Sequence, residues 1–465
     1  MKRKIKVLYV TAEVSPYAQV GGLGEVGASL PKALQNTKGL EIRRVMPCYK
    51  DMAVRKKYIA DFPVPMGNEF ETCILKSNTD NKDIPTYFIG NDRYFYRDSV
   101  YGFDDDGFRF FFFCCAVVEM LKYIKFKPDI IHLNDWHTGF IPLLLKKEFP
   151  DIKSIFTIHN IQYQGFIPAR LLDGLISDKE LFQLGWPEWL NFMKAGILYA
   201  DRVTTVSPTY GEEIQQPSFS GGMDRLIKKR SDGITGILNG IDTELYNPSA
   251  DGILQYPYKE NTIANKKKNR TELRMERGLP DKDIPLVSMI TRLDASKGIE
   301  LLIKALPQVD ISTFQLIILG SGSSYYQGLL SSLASEYPDN IVVDYNYSSD
   351  LAKRIYAASD IYLMPSQYEP CGLGQLYAMR YGVVPVVNPV GGLRDTVVDD
   401  RENPRNSCGF HMDEWSGKAL VSALNRAIKE YGSPHWKLLA KNCMSVDSSW
   451  QYRAVKYRKL YEEMI

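Results

Sequence analysis

The stretch 365–375, PSQYEPCGLGQ, decides the fold class because of what flanks it. The apolar run DIYLM at 360–364 precedes it, and the helix-like run LYAMRYG at 376–382 follows it. An apolar strand, a turn with proline and glycine, and then a helix is the unit by which α/β domains offer backbone N–H groups to an anion. Glu369 places a carboxylate at that turn. Taken alone, Glu369 is equally well interpreted as a helix N-cap or a surface acid.

Apolar, β-branched runs alternate with helical periodicity along the whole chain, which predicts parallel βαβ units. The 465 residues suffice for two or three domains. The predicted strands are 5–10, 42–46, 85–89, 130–133, 154–158, 202–206 and 236–238 in the first half, and 286–290, 314–319, 341–343, 361–364 and 383–387 in the second. Between the two sets, the polar, Lys-rich stretch 248–283 is interpreted as the passage between two doubly wound domains.

Composition excludes several classes of protein. The formal net charge is only +2, and no basic stripe is dense enough to indicate nucleic-acid binding. The seven cysteines form no CxxC motif and no secretion signal is recognisable, so we expect reduced thiols in a cytoplasmic setting. The apolar run 110–118 is too short to span a bilayer and is predicted to be a buried helix. His132 and His137 are the only pair of histidines near metal-ligand spacing, and they do not indicate a zinc site.

The first half carries a glycine pair, Gly21-Gly22, between the first strand and a helix predicted at 27–34. Paired glycines permit positive φ and a close approach of the backbone to a bulky or phosphorylated ligand. The alternative is a tight strand–helix turn with nothing bound. Glu13 and Glu25, on either side of the pair, are each interpreted as exposed or capping residues.

Two strand ends in the first half carry polar and aromatic side chains. The sequence HLNDWHTG at 132–139 offers Asp135 for hydrogen bonds to hydroxyls and Trp136 as an apolar plate, and the alternative is Asp135 as an N-cap. The sequence TIHNIQYQG at 157–165 brings His159 out of the next strand. Asn239, in LNGID at 238–242, is equally well explained by the Asn-Gly turn signal.

The second half offers cations in TRLDASKG at 291–298. Arg292 leaves a strand and Lys297 heads a helix, a pair that suits a diphosphate, while a solvated basic loop is the alternative. Tyr347 follows a later strand and is placed either to stack on a base or to pack. The pair Gly391-Gly392 repeats the device of two glycines before a helix.

Together these motifs resemble the glycogen/starch synthase family, nucleotide-sugar α-glucan glucosyltransferases with two Rossmann-like domains that face each other across a deep cleft (the GT-B fold). The resemblance covers nearly the whole chain. It rests on the ordered motifs AEVSPYAQVGGLGEV, HLNDWHTG, TIHNIQYQG, LNGID, TRLDASKG, EPCGLGQLYAMRYG and GGLRDTV. It implies an N-terminal domain at 1–248, a donor-binding domain at 249–445, and a C-terminal helix at 446–465 that crosses back to the first domain.

The resemblance also implies a site. ADP-glucose would place its diphosphate on Arg292 and Lys297 and its base near Tyr347, and Glu369 would engage the glucosyl ring. The remaining implied contacts are Asp135 and His159 at the sugar pocket, Asn239 close by, the backbone at Cys371, Gly372 and Leu373, and the donor-binding positions Gln19, Gly21, Gly22, Gly391 and Gly392. The glucosyl unit would pass to the non-reducing end of an α-1,4-glucan with retention, without a metal or other cofactor. The partners are thus a glucan and a nucleotide sugar, in the cytoplasm or a plastid-like compartment.

The chain departs from the family pattern at a few positions. Gln19 stands where a lysine is usual, Glu25 where an aspartate is usual, and Val390 where a threonine is usual. Tyr377 stands where many other GT-B enzymes carry a second glutamate, which the glycogen synthase pattern also lacks. Two alternatives stay open from the sequence: a GT-B enzyme that uses UDP-glucose or another acceptor, and a weakened α-glucan-binding regulatory homologue.

Overall fold

The computed structural model of the chain describes residues 3–79, 83–172, 177–185 and 188–465. Met1 and Lys2, at the start of the segment searched for a secretion signal, lie outside the described residues. The chain divides into two compact units. Unit 1 comprises Met1–Gly240 with Trp450–Ile465, and unit 2 comprises Ile241–Ser449. The corresponding boundaries predicted from the sequence are 248 and 445.

Unit 1 is built on a mainly parallel sheet. Its strands are β1 (Ile5–Val10), β2 (Leu40–Pro47), β3 (Lys56–Met66), β4 (Glu69–Asn78), β5 (Thr86–Gly90), β6 (Ile130–Asn134), β7 (Lys153–Ile158), β8 (Phe166–Pro168), β9 (Trp189–Asn191), β10 (Arg202–Thr205) and β11 (Thr235–Gly236). Its helices up to Gly240 are α1 (Gly22–Gln35), α2 (Asp92–Phe95), α3 (Asp106–Met120), α4 (Ile141–Glu148), α5 (Asp178–Leu184), α6 (Phe192–Tyr199), α7 (Pro208–Glu213) and α8 (Asp224–Lys228).

Within the described residues, nine of these strands form one sheet in the order β11-β10-β7-β6-β1-β2-β5-β4-β3. The pairs from β11 to β5 are parallel, while β4 is antiparallel to both of its neighbours. Each strand predicted in this half overlaps an observed strand, although β11 shares only Gly236 with the predicted 236–238. The β3–β4 hairpin and the short β8–β9 pair were not predicted.

The core of unit 1 follows from the apolar runs. The segment 110–118 lies inside α3 and every residue of it is buried, as predicted. Strand β1 shows the same character, since its last four residues are buried. Helix α1 begins five residues earlier than the predicted 27–34, so that the glycine pair lies at its start.

Unit 2 contains a second sheet, and its strands are all parallel. The strands are β12 (Leu286–Ile290), β13 (Gln315–Leu319), β14 (Ile341–Asp344), β15 (Ile361–Met364), β16 (Val384–Val387) and β17 (Phe410–His411). The helices are α9 (Lys266–Glu276), α10 (Ile299–Ala305), α11 (Ser324–Glu336), α12 (Ser349–Ala358), α13 (Gly374–Arg380), α14 (Gly391–Thr396), α15 (Gly417–Glu430) and α16 (Pro434–Ser445). In the described chain the strand order is β14-β13-β12-β15-β16-β17.

The stretch 248–283, expected to be the passage between domains, is part of unit 2. Helix α9 buries Lys266, whose ammonium donates to the carbonyl oxygens of Tyr356 (2.8 Å) and Ala357 (3.2 Å) in the last turn of α12. Arg270 forms a buried ion pair with Asp360 at the start of β15. This polar stretch therefore contains a packed helix that its composition did not indicate. The buried cations Lys266 and Arg270 are tolerated there because each is paired with groups on neighbouring elements.

The last helix, α17 (Trp450–Met464), belongs to unit 1. It packs against α1, and its side chains Trp450, Ala454 and Tyr461 join the core that β1 and β2 contribute to. A search of the described residues for a helix long and apolar enough to cross a membrane found none.

Candidate functional site

In unit 2 the loops that follow β12 and β15 meet at one edge of the sheet, because these strands are adjacent and parallel. The amide of Gln367 donates to the carbonyl oxygen of Ser296 at 2.8 Å. Gly298 has a φ of 75°, and a Cβ on it would lie 2.3 Å from the carbonyl oxygen of Pro365. The loop 291–298 and the stretch 365–375 are thus in backbone contact.

Glu369 lies at this edge and is buried, with 8% of its surface exposed, so its interpretation as a surface acid is wrong. Lys297 Nζ donates to Glu369 Oε2 at 2.7 Å, and both side chains are largely buried. Ser366 Oγ donates to the same oxygen at 3.1 Å. Within the described chain, Lys297 and Ser366 both donate to Oε2 of Glu369. The other carboxylate oxygen, Oε1, can therefore still accept hydrogen bonds from hydroxyl groups. Glu369 does not cap α13, whose N-cap residue is Leu373.

The second glycine pair closes over the backbone that follows Glu369. A Cβ on Gly391, which has a φ of 45°, would lie 2.1 Å from the carbonyl oxygen of Glu369. A Cβ on Gly392 would lie 2.2 Å from the carbonyl oxygen of Cys371. The Gly392 amide donates to the carbonyl oxygens of Glu369 (3.1 Å) and Pro370 (3.2 Å). These glycines are required because no side chain fits between the two loops.

The turn from Cys371 to Leu373 leads directly into α13. Gly372 takes a left-handed φ of 73°, and Gln375 Nε2 donates to the carbonyl oxygens of Cys371 (3.0 Å) and Gly372 (3.1 Å). Cys371 is buried. The cap residue of α13, Leu373, makes no side-chain hydrogen bond to the helix.

Two other predicted residues of unit 2 lie at the carboxyl ends of its strands and are partly open to solvent. Arg292 lies two residues beyond the end of β12, its side chain is 55% exposed, and its guanidinium lies 3.8 Å from the Asp294 carboxylate. Tyr347 follows β14, the edge strand, and is 59% exposed. Both side chains are accessible to a ligand at this end of the sheet.

In unit 1 the strands β7, β6 and β1 are neighbours, so their polar ends share an edge. Asp135 follows β6 with a φ of 61°, uncommon for a residue other than glycine. It occupies the N-cap position of the short 3-10 helix Trp136–Thr138, as the N-cap alternative has it, but its side chain makes no cap hydrogen bond. Burial raises its pKa to about 8, although the backbone amides of Asn160, His159 and Trp136 partly counteract the shift. Among the described residues, Asp135 Oδ1 is buried without a hydrogen-bond partner.

His159 emerges from β7 beside the end of β6. Its Nε2 lies 3.0 Å from Asn134 Oδ1. Burial lowers the pKa of His159 to about 3, so the ring is neutral at physiological pH. Asn239, which follows β11, is buried, and in the described chain its Oδ1 has no hydrogen-bond partner.

The first glycine pair does not use the positive φ that glycine permits. Neither Gly21 nor Gly22 has a positive φ, and Gly21 is extended with a φ of −150°. A Cβ on Gly21 would meet no atom of the described chain within 4 Å. Gln19 is exposed, and its Nε2 donates to Glu25 Oε1 at 3.2 Å.

Glu13 anchors this glycine loop. Its Oε2 accepts hydrogen bonds from the amides of Val20 (2.6 Å) and Gly21 (3.0 Å), and its Oε1 accepts one from the Tyr101 hydroxyl at 2.8 Å. Glu13 therefore accepts hydrogen bonds from backbone amides, much as a capping residue does. The prediction that Glu13 is exposed is wrong, because the residue is buried.

Sequence reasoning missed Ser366 and Asn134, although both stand inside quoted motifs. Each is a small polar residue one to three positions from a predicted site residue, and only the folded contacts reveal what it binds. In the described residues no group of three or more His, Cys, Asp or Glu side chains is arranged to hold a metal ion.

Known proteins match both units. Residues 6–229 match the family described as the starch synthase catalytic domain, and residues 269–441 match glycosyl transferases group 1. A glycogen synthase from Moorella thermoacetica is 41% identical over 478 residues, covering 100% of this chain and 98% of that protein. The chain belongs to the glycogen/starch synthase family. A glycogen synthase from Anoxybacillus flavithermus is similar as well, at 39% identity over 99% of this chain and 98% of its own length.

The structures agree with this family. The catalytic domain of starch synthase IV from Arabidopsis thaliana, solved bound to ADP and acarbose, matches with a TM-score of 0.91 at 32% identity, covering 99% of both chains. The predicted α/β GT-B fold is confirmed by this match, and so is the predicted enzyme class. This glycogen/starch synthase family member is a glycosyltransferase.

Proposed function

We propose that the enzyme transfers a glucosyl unit from ADP-glucose to the non-reducing end of an α-1,4-glucan, with retention of configuration. The observation that carries the proposal is the Lys297–Glu369 pair at the edge of unit 2, held by Ser366 and closed by Gly391 and Gly392. Supporting it, the similar starch synthase IV domain was solved with ADP and acarbose, and the curated relatives are glycogen synthases.

The donor diphosphate is assigned to Lys297 and Arg292. An ammonium has three donors, and Glu369 takes one of them, so Lys297 retains two for phosphate oxygens. Arg292 is partly exposed and supplies a planar fork for a second grip. Negative charge grows on the diphosphate as the anomeric C–O bond breaks, and fixed cations stabilise that charge without reorganisation.

Hydrogen bonds to sugar hydroxyls are assigned to side chains of each unit taken by itself. In unit 2, Glu369 accepts hydrogen bonds from glucosyl hydroxyls through Oε1, helped by the backbone amides of Gly372 and Leu373. In unit 1, Asp135, His159 and Asn239 are assigned to the hexose, and Asp135 Oδ1 and Asn239 Oδ1 are buried acceptors able to take hydroxyl hydrogens.

The remaining assigned residues contact the nucleotide base of the donor or form the loops around the donor. Tyr347 stacks on the base, and the backbone at Cys371, Gly391 and Gly392 shapes the donor loop. Gln19, Gly21 and Gly22 lie along the donor, where Gly21 leaves room for it.

Retention is proposed to follow from front-face departure and attack. The two-carboxylate glycosidase pattern needs a second carboxylate placed as a nucleophile. The His159 main-chain carbonyl is proposed to lie near the anomeric carbon instead. Positive charge on the sugar is then stabilised by Glu369 and this carbonyl. As the bond to the diphosphate breaks, the acceptor hydroxyl oxygen bonds to the anomeric carbon on the same face, and its proton passes to the departing diphosphate oxygen.

The direct test supplies the protein with ADP-glucose or UDP-glucose and glycogen, and counts released ADP or UDP. We expect ADP release that depends on glycogen, with chain lengthening seen after debranching. Preferential release of UDP would show that UDP-glucose is the donor. If neither nucleotide is released but the protein still binds glycogen, the result would favour the regulatory homologue. Because the proposal needs no metal ion, the rate should not change when EDTA is added.

A further inference from the structure

Asn134 makes three hydrogen bonds at the end of β6, of which two are buried and one is part-buried. Its Oδ1 accepts from the Tyr9 hydroxyl at 2.8 Å, and its Nδ2 donates to the carbonyl oxygen of Val10 at 2.9 Å. The same Oδ1 lies 3.0 Å from His159 Nε2, in the part-buried contact. Tyr9 and Asn134 are fully buried, so the bonds to Tyr9 and Val10 are shielded from water.

These contacts fix which end of the amide faces the histidine. A carbonyl oxygen only accepts, so the Asn134 NH₂ group must point to Val10. The Oδ1 atom therefore faces His159, and an acceptor facing a ring nitrogen requires that nitrogen to carry the hydrogen. The His159 ring is then protonated on Nε2, and Nδ1 is left as the acceptor.

We infer that Asn134 and Tyr9 are positioning residues that hold His159 as its Nε2–H tautomer, with Nδ1 directed as an acceptor for a substrate hydroxyl. Asn134 orients the ring, and Tyr9 holds Asn134 by occupying the second acceptor position of Oδ1. The role of Nδ1 toward a hydroxyl rests on the proposed function, whereas the tautomer itself does not.

The surroundings agree with a neutral ring held by a neutral partner. Burial lowers the pKa of His159 to about 3, which keeps Nδ1 unprotonated. An amide supplies an acceptor of the same size as a carboxylate but adds no charge that would draw a second proton to the ring. An aspartate at position 134 would lose both properties, because it cannot donate to Val10 and would favour the imidazolium.

Nitrogen-15 NMR of the full chain, labelled in its five histidines, tests the tautomer without substrate. The His159 signals are assigned by their absence from a His159→Gln variant. We expect, at pH 7, a resolved proton on Nε2 and an unprotonated Nδ1. A proton on Nδ1 in the unsubstituted protein would overturn the inference.

Two variants and a matched control test the positioning. In Asn134→Leu the Nε2 proton should be lost from the spectrum by exchange with water, and kcat should fall about 5- to 150-fold because a buried donor loses its acceptor. Tyr9→Phe is milder and should lower kcat about 2- to 10-fold. Tyr461→Phe is the control, since it removes an equally buried hydroxyl that bonds His132 (2.7 Å) instead.

The control should keep the His159 proton signal, even if its melting temperature falls as much as that of Tyr9→Phe. An unchanged Nε2 proton in Asn134→Leu, or its equal loss in Tyr461→Phe, would overturn the inference. An intact Nε2–H signal in a protein that releases no nucleotide would count against the proposed function alone, so the two failures are distinguishable.

Discussion

The two glycine pairs look alike in sequence but differ in what requires them. In unit 2, Gly391 has a positive φ, and its Cβ position lies 2.1 Å from a backbone oxygen. In unit 1, Gly21 is extended, and its Cβ position meets nothing in the described chain within 4 Å. The fold itself therefore requires Gly391. It does not require Gly21, which is consistent with the assignment of Gly21 to ligand contact.

The predicted site carboxylates of the two units, Glu369 and Asp135, also differ. Glu369 in unit 2 is held by Lys297 and Ser366. Asp135 in unit 1 has a buried Oδ1 without a partner among the described residues, and its pKa is raised. Glu369 is thus paired with a cation of its own unit, whereas Asp135 keeps one buried acceptor atom with no partner among the described residues.

Substituting the unit 2 pair gives the largest expected effect. Gly391→Ala forces a Cβ into the Glu369 carbonyl and puts an L-residue at positive φ, which together should cost about 2–4 kcal/mol of unfolding free energy. Activity should fall more than about 100-fold because Glu369 is displaced. Denaturant unfolding and nucleotide release measure the two effects. Unchanged stability would show that the loop relaxes easily.

The matching change in unit 1 should separate activity from stability. Gly21→Ala should leave the unfolding free energy within about 0.5 kcal/mol, because the new methyl group meets no protein atom. The KM for the donor should rise about tenfold or more, if the ligand uses that space. The same two assays decide, and full activity with full stability would remove Gly21 from the proposed donor site.

Asp135→Asn tests the unpaired carboxylate through pH. A carboxyl whose pKa is raised to about 8 in the folded chain stabilises the fold fully below its unfolded value near 4, and that contribution is lost as pH rises toward 8. The amide does not titrate. The variant should therefore gain stability relative to the parent as pH rises from about 4 to 8, by up to about 6 kcal/mol, since the pKa rises by about four units of about 1.4 kcal/mol each.

Thermal unfolding at pH 5, 7 and 8.5 measures this difference, and the control is Asp129→Asn, at a carboxylate paired with the largely exposed Arg3. A constant difference between parent and variant across this range would show that Asp135 is ionised throughout. Nucleotide release by Asp135→Asn should fall at every pH, because the proposed acceptor for a sugar hydroxyl is changed.

Gln19→Lys has the smallest expected effect. The lysine would restore the cation usual in the family, but it lies within reach of Glu25, to which Gln19 now donates. Exposed pairs of this kind are worth at most about 1 kcal/mol, so we expect the donor KM to fall no more than about fivefold. A much larger gain would show that Gln19 weakens the site.

The sequence predicted most of the parallel strands, because buried strands in α/β folds are nearly continuous apolar runs. Strands β1, β12 and β15 have the predicted bounds. The β3–β4 hairpin was missed, since its strands face solvent on one side and β3 contains Pro63 and Pro65, which argue against a strand. The Gly67-Asn68 pair between them was a turn signal that could have revealed it.

The site was located by motifs, but its contacts were not predictable. Lys297 and Glu369 are 72 positions apart, and Glu13 and Tyr101 are 88 apart, so only the folded chain shows that they bond. The conformation of Gly21 was not predictable, because paired glycines permit both positive φ and a close approach of a ligand to the backbone. The sequence signal is the same for both.

The most direct test of the account is the activity of Glu369→Gln, an isosteric change that keeps an acceptor for the Lys297 ammonium and removes the charge. With ADP-glucose and glycogen, we predict a loss of kcat of about 100-fold or more and a melting temperature close to that of the parent. Near-full ADP release by Glu369→Gln would contradict the account.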